Sequence, residues 1–358
     1  MSRRAIDKRV LAWIAEGVDA VGEDARFENI ALALFAHQYE HGEAYRRFCD
    51  ANGRNPSNVE GWRDIPHVPT GGFKQARLAT FPAERDVRTF RTSGSSTAVR
   101  GELHLDSLEL YDASLLATFA AYVVCGAESL RFLVLAPSAH DAPDSSLSYM
   151  FDRAARRLGA GEPSFYVDAE GWKPQRAIAD LEALDRPAAI VGTAFSFVHL
   201  LDALAASGKR LSLPEGTRMM ETGGFKGRSR ELTRDELHSA IATALGVPTS
   251  HIINQYGMCE LASQFYEASL RTGKPTHAKS VSPWVRTRVL DPTTFEEVPF
   301  GETGVLVHYD LANTGSVLAI QTSDVGRCLD GGLEVLGRLQ GAEERGCSIA
   351  ADALLGSG

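Results

Sequence analysis

Hydrophobic residues recur at spacings of three and four over residues 4–22 and 27–50, and this periodicity predicts two N-terminal helices. The passage 61–72 (GWRDIPHVPTGG) is rich in Pro and Gly and predicts a loop. The chain therefore opens with a helical segment that ends before the first strand-like runs.

Beyond this loop, apolar runs alternate with helical stretches. Strand-like runs cover 131–136, 164–167, 188–192 and 217–221, and helical stretches cover 106–124, 145–158, 173–185, 194–207 and 233–245. This alternation predicts an α/β fold with a largely parallel sheet. From about residue 285 short strands follow one another (VRTRVL, GVLVHYD, VLAIQTSD, LEVLGR), which predicts an antiparallel or barrel-like subregion.

Composition excludes several classes of protein. A chain of 358 residues with 44% hydrophobic and 23% charged residues is typical of an ordinary globular protein. A net charge of -9 argues against nucleic acid or an anionic membrane as the main partner, and no apolar run approaches the roughly 20 residues of a membrane span. Charged residues interrupt the N-terminal apolar stretch, which predicts an amphipathic helix rather than a signal peptide. The five cysteines form no CxxC pair, which favours a reducing, cytoplasmic location.

The first candidate for chemistry is a run of hydroxyl residues around a glycine, followed by Arg100. It comprises Thr92, Ser93, Gly94, Ser95, Ser96 and Thr97. Small side chains let N–H and O–H donors converge on a phosphate. The run is not a Walker loop, because GxxxxGK[ST] is absent, and taken alone it also fits an ordinary loop.

Three further motifs carry isolated polar residues after apolar segments. Glu260 in NQYGMCEL suits Mg²⁺, which takes one or two carboxylates together with phosphates, or it is a glutamate at a helix start. Asp324 in QTSDVGR suits the two hydroxyls of a ribose, or an Asx turn. Arg338 in LGR suits phosphate or ribose, or a plain surface position.

The order of these motifs, together with ETGG at 221–224, resembles the adenylate-forming superfamily of acyl-CoA synthetases and related ligases. More closely, the chain resembles the acyl-protein synthetases (LuxE-type), the ligase component of the fatty-acid reductase of bacterial bioluminescence, and their phenylacetate-CoA-ligase relatives. The resemblance extends through 65–74, 282–292 and 345–358, and so covers most of the chain beyond residue 30.

The resemblance implies ATP and Mg²⁺ as cofactors and assigns a role to each motif. Residues 92–97 would grip the β- and γ-phosphates, with Arg100 where the family often has lysine, and Glu260 would hold Mg²⁺. The other nucleotide-binding residues implied are Gly223 and Gly224 beneath the adenine, Tyr256 and Gly257 beside the base, and Asp324 with Arg338 at the ribose.

The fold implied is an adenylate-forming N-terminal domain, with mixed, largely parallel sheets, flanking helices and a small β-rich subdomain. We predict a helical segment at 1–60, the α/β core at 61–284, a β-rich subregion at 285–340 and a tail at 341–358. Most of the usual C-terminal domain is expected to be lacking, with its lysine. Lys74, Lys226 and Arg228 are candidates to supply that charge.

Cys347 occupies the place of the cysteine that accepts the acyl group in the acyl-protein synthetases. Arg345 nearby would lower the pKa of its thiol; the alternative is a buried, inert cysteine. The resemblance implies a fatty acid as substrate, with an aryl acid second, and a reductase and an acyltransferase as partners.

Two other functions stay open. The chain could be an acid–CoA or acid–carrier-protein ligase, for which Cys347 would be dispensable. It could also be a non-catalytic nucleotide-binding or scaffold subunit that has kept the fold.

Overall fold

The computed structural model describes residues 1–92, 99–223, 232–339 and 354. The helices are α1 (Arg3–Ala15), α2 (Asp24–His41), α3 (Glu43–Ala51), α4 (Gly72–Gln75), α5 (Glu109–Phe119), α6 (Ser146–Leu158), α7 (Pro174–Glu182), α8 (Ala194–Ala206), α9 (Arg234–Leu245) and α10 (Ser269–Thr272). The strands are β1 (Val68–Pro69), β2 (Arg88–Arg91), β3 (Glu102–Leu105), β4 (Arg131–Leu135), β5 (Ser164–Phe165), β6 (Val167–Asp168), β7 (Gly171–Trp172), β8 (Ala188–Thr193), β9 (Arg218–Thr222), β10 (Ile252–Tyr256), β11 (Phe265–Glu267), β12 (Lys279–Ser280), β13 (Val285–Leu290), β14 (Gly304–Asp310), β15 (Ala319–Leu329) and β16 (Gly332–Arg338).

The N-terminal helices differ from the periodicity prediction. The helix expected over 4–22 ends at Ala15, and the single helix expected over 27–50 is wrong, because α2 and α3 are separated by Gly42. Gly42 has φ -96° and ψ 92°, outside the helical region. A Cβ at this position would lie 2.7 Å from the carbonyl oxygen of Gln38, so the close approach of the backbone requires glycine.

The chain forms two compact units. The first unit comprises the described residues of 1–117, 257–264 and 280–358, and the second comprises those of 118–256 and 265–279.

The second unit contains the parallel sheet that the alternation predicts. Its strands lie in the order β11-β10-β9-β8-β4-β5, with β11 antiparallel to β10 and the other neighbours parallel. Helices α8 and α9 bury their apolar faces with the strands in one core, which includes Leu133, Ile190, Phe197, Leu204, Met219, Ile241 and Ile252. Burial of these side chains is the main stabilising contribution in this unit.

Capping residues fix the ends of these helices. Thr193 and Ser196 form a capping box at the start of α8, and Thr233 and Glu236 form another at the start of α9. Each box satisfies backbone N–H groups that a helix start leaves unpaired. Helix α9 ends at Gly246, whose φ of +67° lies in the left-handed region.

The first unit contains the antiparallel subregion predicted from residue 285 onward. Strands β13, β14, β15 and β16 pair in chain order, all antiparallel, and β1 adds to β15 in parallel. Every residue of β14 is buried, including His308 and Asp310. Strands β2 and β3 form a separate antiparallel hairpin.

Aromatic contacts join the N-terminal helices to this sheet within the first unit. The ring of Trp62 lies 5.4 Å from that of Phe27 on α2 and 4.8 Å from that of Tyr309 on β14, both edge-on. Arg3 on α1 forms a two-pronged ion pair with Asp106, at 2.7 and 2.8 Å. These contacts anchor the helical segment to the elements that carry the candidate site.

Candidate functional site

Two neighbouring parallel strands of the second unit, β9 and β10, end beside predicted nucleotide-binding residues. The hydroxyl of Thr222 donates a hydrogen bond to the carbonyl oxygen of Gln255 at 3.0 Å and thereby ties the two strand ends together. Gly223 follows β9 with a φ of +82°, which favours glycine, and Tyr256 is the last residue of β10. Ligands bind parallel sheets at the carboxyl ends of the strands. Gly224 lies outside the described residues.

Buried ionic groups hold these strand ends in place. The carboxylate of Glu221 accepts a hydrogen bond from Asn254 at 2.7 Å and lies 3.1 Å from His238. Glu267 on β11 accepts the backbone N–H of Asn254 at 3.0 Å and pairs with Lys279 at 3.4 Å. Burial lowers the pKa of Lys279 to about 8. The cluster fixes three adjacent strands by their polar side chains.

In the first unit, the β2–β3 hairpin carries the two ends of the predicted phosphate loop. The backbone N–H of Gly101 donates to the hydroxyl of Thr92 at 2.9 Å. The guanidinium of Arg100 donates to the carbonyl oxygens of Thr92 at 2.6 Å and Arg91 at 3.2 Å. Arg100 thus ties together the two chain ends that flank the predicted loop. The predicted residues Ser93, Gly94, Ser95, Ser96 and Thr97 lie outside the described part of the chain.

Glu260 follows Gly257 in a segment of the first unit and has a buried side chain. Burial raises the pKa of Glu260 to about 7; Arg338 and Lys74 act against this rise, and Asp324 adds to it. The structure therefore places Glu260, Asp324, Arg338 and Lys74 in one electrostatic environment, although they are far apart in sequence.

Asp324 and Arg338 are directly opposite each other on β15 and β16. Nε of Arg338 donates to Oδ1 of Asp324 at 3.2 Å. The Asp324 side chain is 10% exposed and the Arg338 side chain 67% exposed. The acceptor oxygens of this pair therefore belong to a largely buried aspartate.

The donor set at Glu260 fits Mg²⁺. Within 1–92, 99–223, 232–339 and 354, no group of three or more His, Cys, Asp and Glu side chains is arranged to hold a metal ion. Mg²⁺ does not need such a group, because it takes one or two carboxylates and completes its shell with waters and phosphate oxygens. A nearby cation would also favour the charged form of Glu260, which burial disfavours.

A cleft of about 480 Å³ in the first unit is lined by basic side chains. Among the described residues, Lys74, Arg77, Arg91 and Arg100 border it with one acidic residue, Glu102. The guanidinium of Arg91 pairs with Glu102 at 2.7 Å, and carboxylate partners of this kind orient an arginine. Arg77 pairs in the same way with Asp86, at 2.8 and 2.7 Å. Even so, cationic side chains outnumber carboxylates at this cleft, which favours phosphate in a protein with a net charge of -9.

Sequence reasoning missed two polar residues that contact the segment after Glu260. Asp310 accepts hydrogen bonds from the backbone N–H groups of Ala262 and Ser263, and Asn313 donates to the carbonyl oxygen of Glu260. Burial raises the pKa of Asp310 to about 6. The only signal in the sequence is an aspartate that ends an apolar run.

The predicted acyl acceptor Cys347, and the candidate cations Lys226 and Arg228, lie outside the described residues. None of the cysteines that the structure describes, Cys49, Cys125, Cys259 and Cys328, forms a disulfide.

Residues 5–355 match the protein family described as acyl-protein synthetase, LuxE. The chain belongs to this family. This acyl-protein synthetase is 23% identical over 341 residues to the long-chain-fatty-acid–luciferin-component ligase of Aliivibrio fischeri, covering 90% of this chain and 87% of that protein. The corresponding ligase of Vibrio harveyi is 22% identical over 336 residues, covering 90% and 86%.

Among solved structures, the acyl-protein synthetase resembles an open conformation of 2-hydroxyisobutyryl-CoA ligase in complex with 2-HIB-AMP and CoA. The TM-score is 0.65 at 16% sequence identity, covering 88% of this chain and 76% of that one. This likeness confirms the predicted adenylate-forming fold. Among the described residues, no helix is long and apolar enough to cross a membrane.

Proposed function

We propose that this acyl-protein synthetase uses ATP and Mg²⁺ to activate a long-chain fatty acid as its acyl-AMP and then transfers the acyl group to the thiol of Cys347. Family membership and the names of the Aliivibrio fischeri and Vibrio harveyi relatives support a long-chain fatty acid. The related fold of a ligase solved with an acyl adenylate supports the intermediate.

The observation that carries the proposal is the Asp324–Arg338 pair on β15 and β16 of the first unit, which shares an electrostatic environment with Glu260 and Lys74. These residues supply one carboxylate for a metal ion, one carboxylate for the ribose hydroxyls and two cations for phosphate groups. Such a set suits a nucleoside triphosphate. The basic cleft that Lys74 shares with Arg100 supports a polyphosphate ligand beside them.

The chemistry needs positioning and charge rather than a general base. The fatty-acid carboxylate is ionised at neutral pH; its oxygen attacks the α-phosphorus of ATP, and the bond to the bridging oxygen of the β-phosphate breaks to release pyrophosphate. Lys74 and Arg100 would offset repulsion between the two anions and stabilise the transition state. Asp324 would accept the ribose hydroxyls and orient the α-phosphate. Bound Mg²⁺ would neutralise phosphate charge.

Acyl transfer to a thiol completes the proposal. The Cys347 thiolate would attack the acyl carbon of the mixed anhydride and release AMP. We further propose a cytoplasmic location, supported by the reduced state of the described cysteines. A reductase and an acyltransferase would then be the expected partners.

The experiment is acid-dependent ATP–pyrophosphate exchange with purified protein, Mg²⁺ and a panel of fatty and aryl acids. Exchange with long-chain fatty acids is expected. Exchange with aryl acids alone would overturn the substrate, and no exchange with any acid would contradict adenylation and favour a non-catalytic subunit.

Acyl transfer is tested separately with radiolabelled fatty acid and ATP. The wild type is expected to acquire a label that hydroxylamine removes, and Cys347→Ser is expected to lose it while exchange persists. Cys125→Ser serves as the matched control and should keep the label. A label that moves to added CoA in Cys347→Ser would instead favour an acid–CoA ligase.

A further inference from the structure

The segment that follows Glu260 is held by a single buried carboxylate. Oδ2 of Asp310 accepts the backbone N–H groups of Ala262 at 3.0 Å and Ser263 at 2.8 Å. Oδ1 accepts the hydroxyl of Ser263 at 2.8 Å and the backbone N–H of Ala312 at 3.0 Å. Asp310 ends strand β14 and is fully buried. Four donors on one buried carboxylate fix the position of this segment relative to the sheet.

Asn313 holds the chain at Glu260 itself, two residues before Ala262. Its Nδ2 donates to the carbonyl oxygen of Glu260 at 3.0 Å and to that of Val317 at 2.9 Å. The backbone N–H of Asn313 donates to the carbonyl oxygen of Asp310 at 3.1 Å, so both residues belong to one turn. The carbonyl group of Glu260 and the backbone two to three residues after it are therefore held by the end of β14 and the turn that follows this strand.

Further buried groups keep this turn rigid. Nε2 of Gln38 on α2 donates to the carbonyl oxygen of Asn313 at 2.9 Å, and its Oε1 accepts the backbone N–H of Leu318 at 3.0 Å. On the other side, the indole N–H of Trp284 lies 3.2 Å from the hydroxyl of Ser263. All of these residues belong to the first unit.

The side-chain amide of Asn313 is buried and oriented by the hydrogen bonds that it donates. Asn313 is 1% exposed, and its Oδ1 is buried with no hydrogen-bond partner among the described residues. The two hydrogen bonds that its Nδ2 donates, to the carbonyl oxygens of Glu260 and Val317, fix the orientation of the amide. Asn313 thus connects the backbone of Glu260 to the chain that leads into β15.

We propose that Asp310 and Asn313 are positioning residues that place the Glu260 carboxylate for the metal-bound triphosphate. The inference rests on the proposed function, in which Glu260 holds Mg²⁺. Neither residue touches the nucleotide; each acts through the backbone of 260–263. Residues that orient a metal ligand in this way typically change metal affinity or activity by about 10–100-fold when they are replaced.

The test compares Asp310→Asn and Asn313→Ala with Thr287→Val. An asparagine at 310 has only one side-chain oxygen and cannot accept the hydrogen bonds that both oxygens of Asp310 accept. An alanine at 313 removes the two hydrogen bonds that Nδ2 of Asn313 donates. Thr287→Val is the matched control: it removes the hydrogen bond between Thr287 and His308, at 2.9 Å on the same sheet, which does not reach 260–263.

Two readouts separate positioning from a structural role. The first is the kcat of exchange at saturating ATP and its dependence on Mg²⁺ concentration. The second is calorimetric binding of ATP with and without Mg²⁺, which needs no acid substrate. Both variants are expected to lower kcat and weaken the Mg²⁺-dependent part of ATP binding by about 10–100-fold, with ATP binding in EDTA retained. The control should match the wild type in both.

The outcomes separate this inference from the proposed function. Wild-type exchange with unchanged kcat and Mg²⁺ dependence in Asn313→Ala would overturn the inference and leave the function standing, as would equal losses in the control. Absence of wild-type exchange, with Mg²⁺-dependent ATP binding that the variants weaken, would overturn adenylation and support the inference. If Asp310→Asn does not fold, Asn313→Ala decides, because it leaves the four hydrogen bonds of Asp310 in place.

Discussion

Replacement of Asp324 by asparagine should weaken ATP binding far more than it weakens the fold. The ion pair with Arg338 adds little stability, because the arginine side chain is 67% exposed and solvent screens such a pair to about 1 kcal/mol or less. A hydrogen bond to a charged acceptor contributes about 1.5–3 kcal/mol. Asparagine keeps one acceptor and loses the charge, so ATP affinity should fall by about 10–100-fold, at about 1.4 kcal/mol per factor of ten.

Calorimetric titration of ATP measures the affinity, and urea unfolding measures the stability of the same samples. Asp291→Asn is the control, because Asp291 accepts the backbone N–H groups of Thr293 at 2.7 Å and Thr294 at 2.9 Å in an ordinary turn. It should leave ATP affinity unchanged. An Asp324→Asn protein with normal ATP affinity, or one whose loss of affinity merely follows a large loss of stability, would refute the ribose assignment.

Three further predictions concern charge. Lys74→Met should lower the kcat of exchange by about tenfold or more while Lys74→Arg retains most activity, since the side chain would offset phosphate charge in the basic cleft; equal kcat in both variants would contradict this role. Burial lowers the pKa of His308 to about 3 from 6.5, so on acidification the unfolded chain binds a proton at His308 at a higher pH than the folded chain does. The free energy of unfolding should therefore fall by about 2 kcal/mol from neutral pH to about pH 5. In urea unfolding, His308→Gln should show a shallower fall over that range, and an unchanged slope would refute the assignment. Glu267→Gln should cost about 3–5 kcal/mol in the same assay, because it leaves Lys279 buried without its carboxylate; a loss below about 1 kcal/mol would show that the pair is dispensable.

Periodicity was sufficient to predict elements that bury apolar side chains at a regular spacing. Helix α8 (Ala194–Ala206) and strand β13 (Val285–Leu290) lie within one residue of the sequence prediction, since apolar spacing records which face is buried. The break at Gly42 was missed because apolar residues continue at helical spacing on both sides of it. The reason for the break is a close approach of Gly42 to the carbonyl of Gln38, which the apolar pattern does not record.

The candidate site likewise contains residues with a local sequence signal and residues whose partners lie far away in the sequence. Glu260, Asp324 and Arg338 were proposed because each stands in a motif that the sequence displays locally, and their roles stay predictions. The roles of Asp310 and Asn313 depend on partners some 50 positions earlier, as with the hydrogen bond from Ser263 to Asp310, 47 residues apart. No local pattern encodes such a pair. The assignments of Cys347 and of residues 93–97 stay predictions.

Strand β14 gives the physical reason why those distant partners matter. All seven of its positions are buried, and most of them are apolar, so a carboxylate at 310 is costly unless it is paired. Burying Asp310 is tolerable only because its oxygens meet four donors, and two of these are the backbone N–H groups of Ala262 and Ser263. A leucine at 310 would leave those N–H groups unpaired and force the segment to move toward water, taking Glu260 with it. The polar residue in an apolar strand therefore couples the position of the segment after Glu260 to strand β14, so that the fold and the candidate site constrain each other.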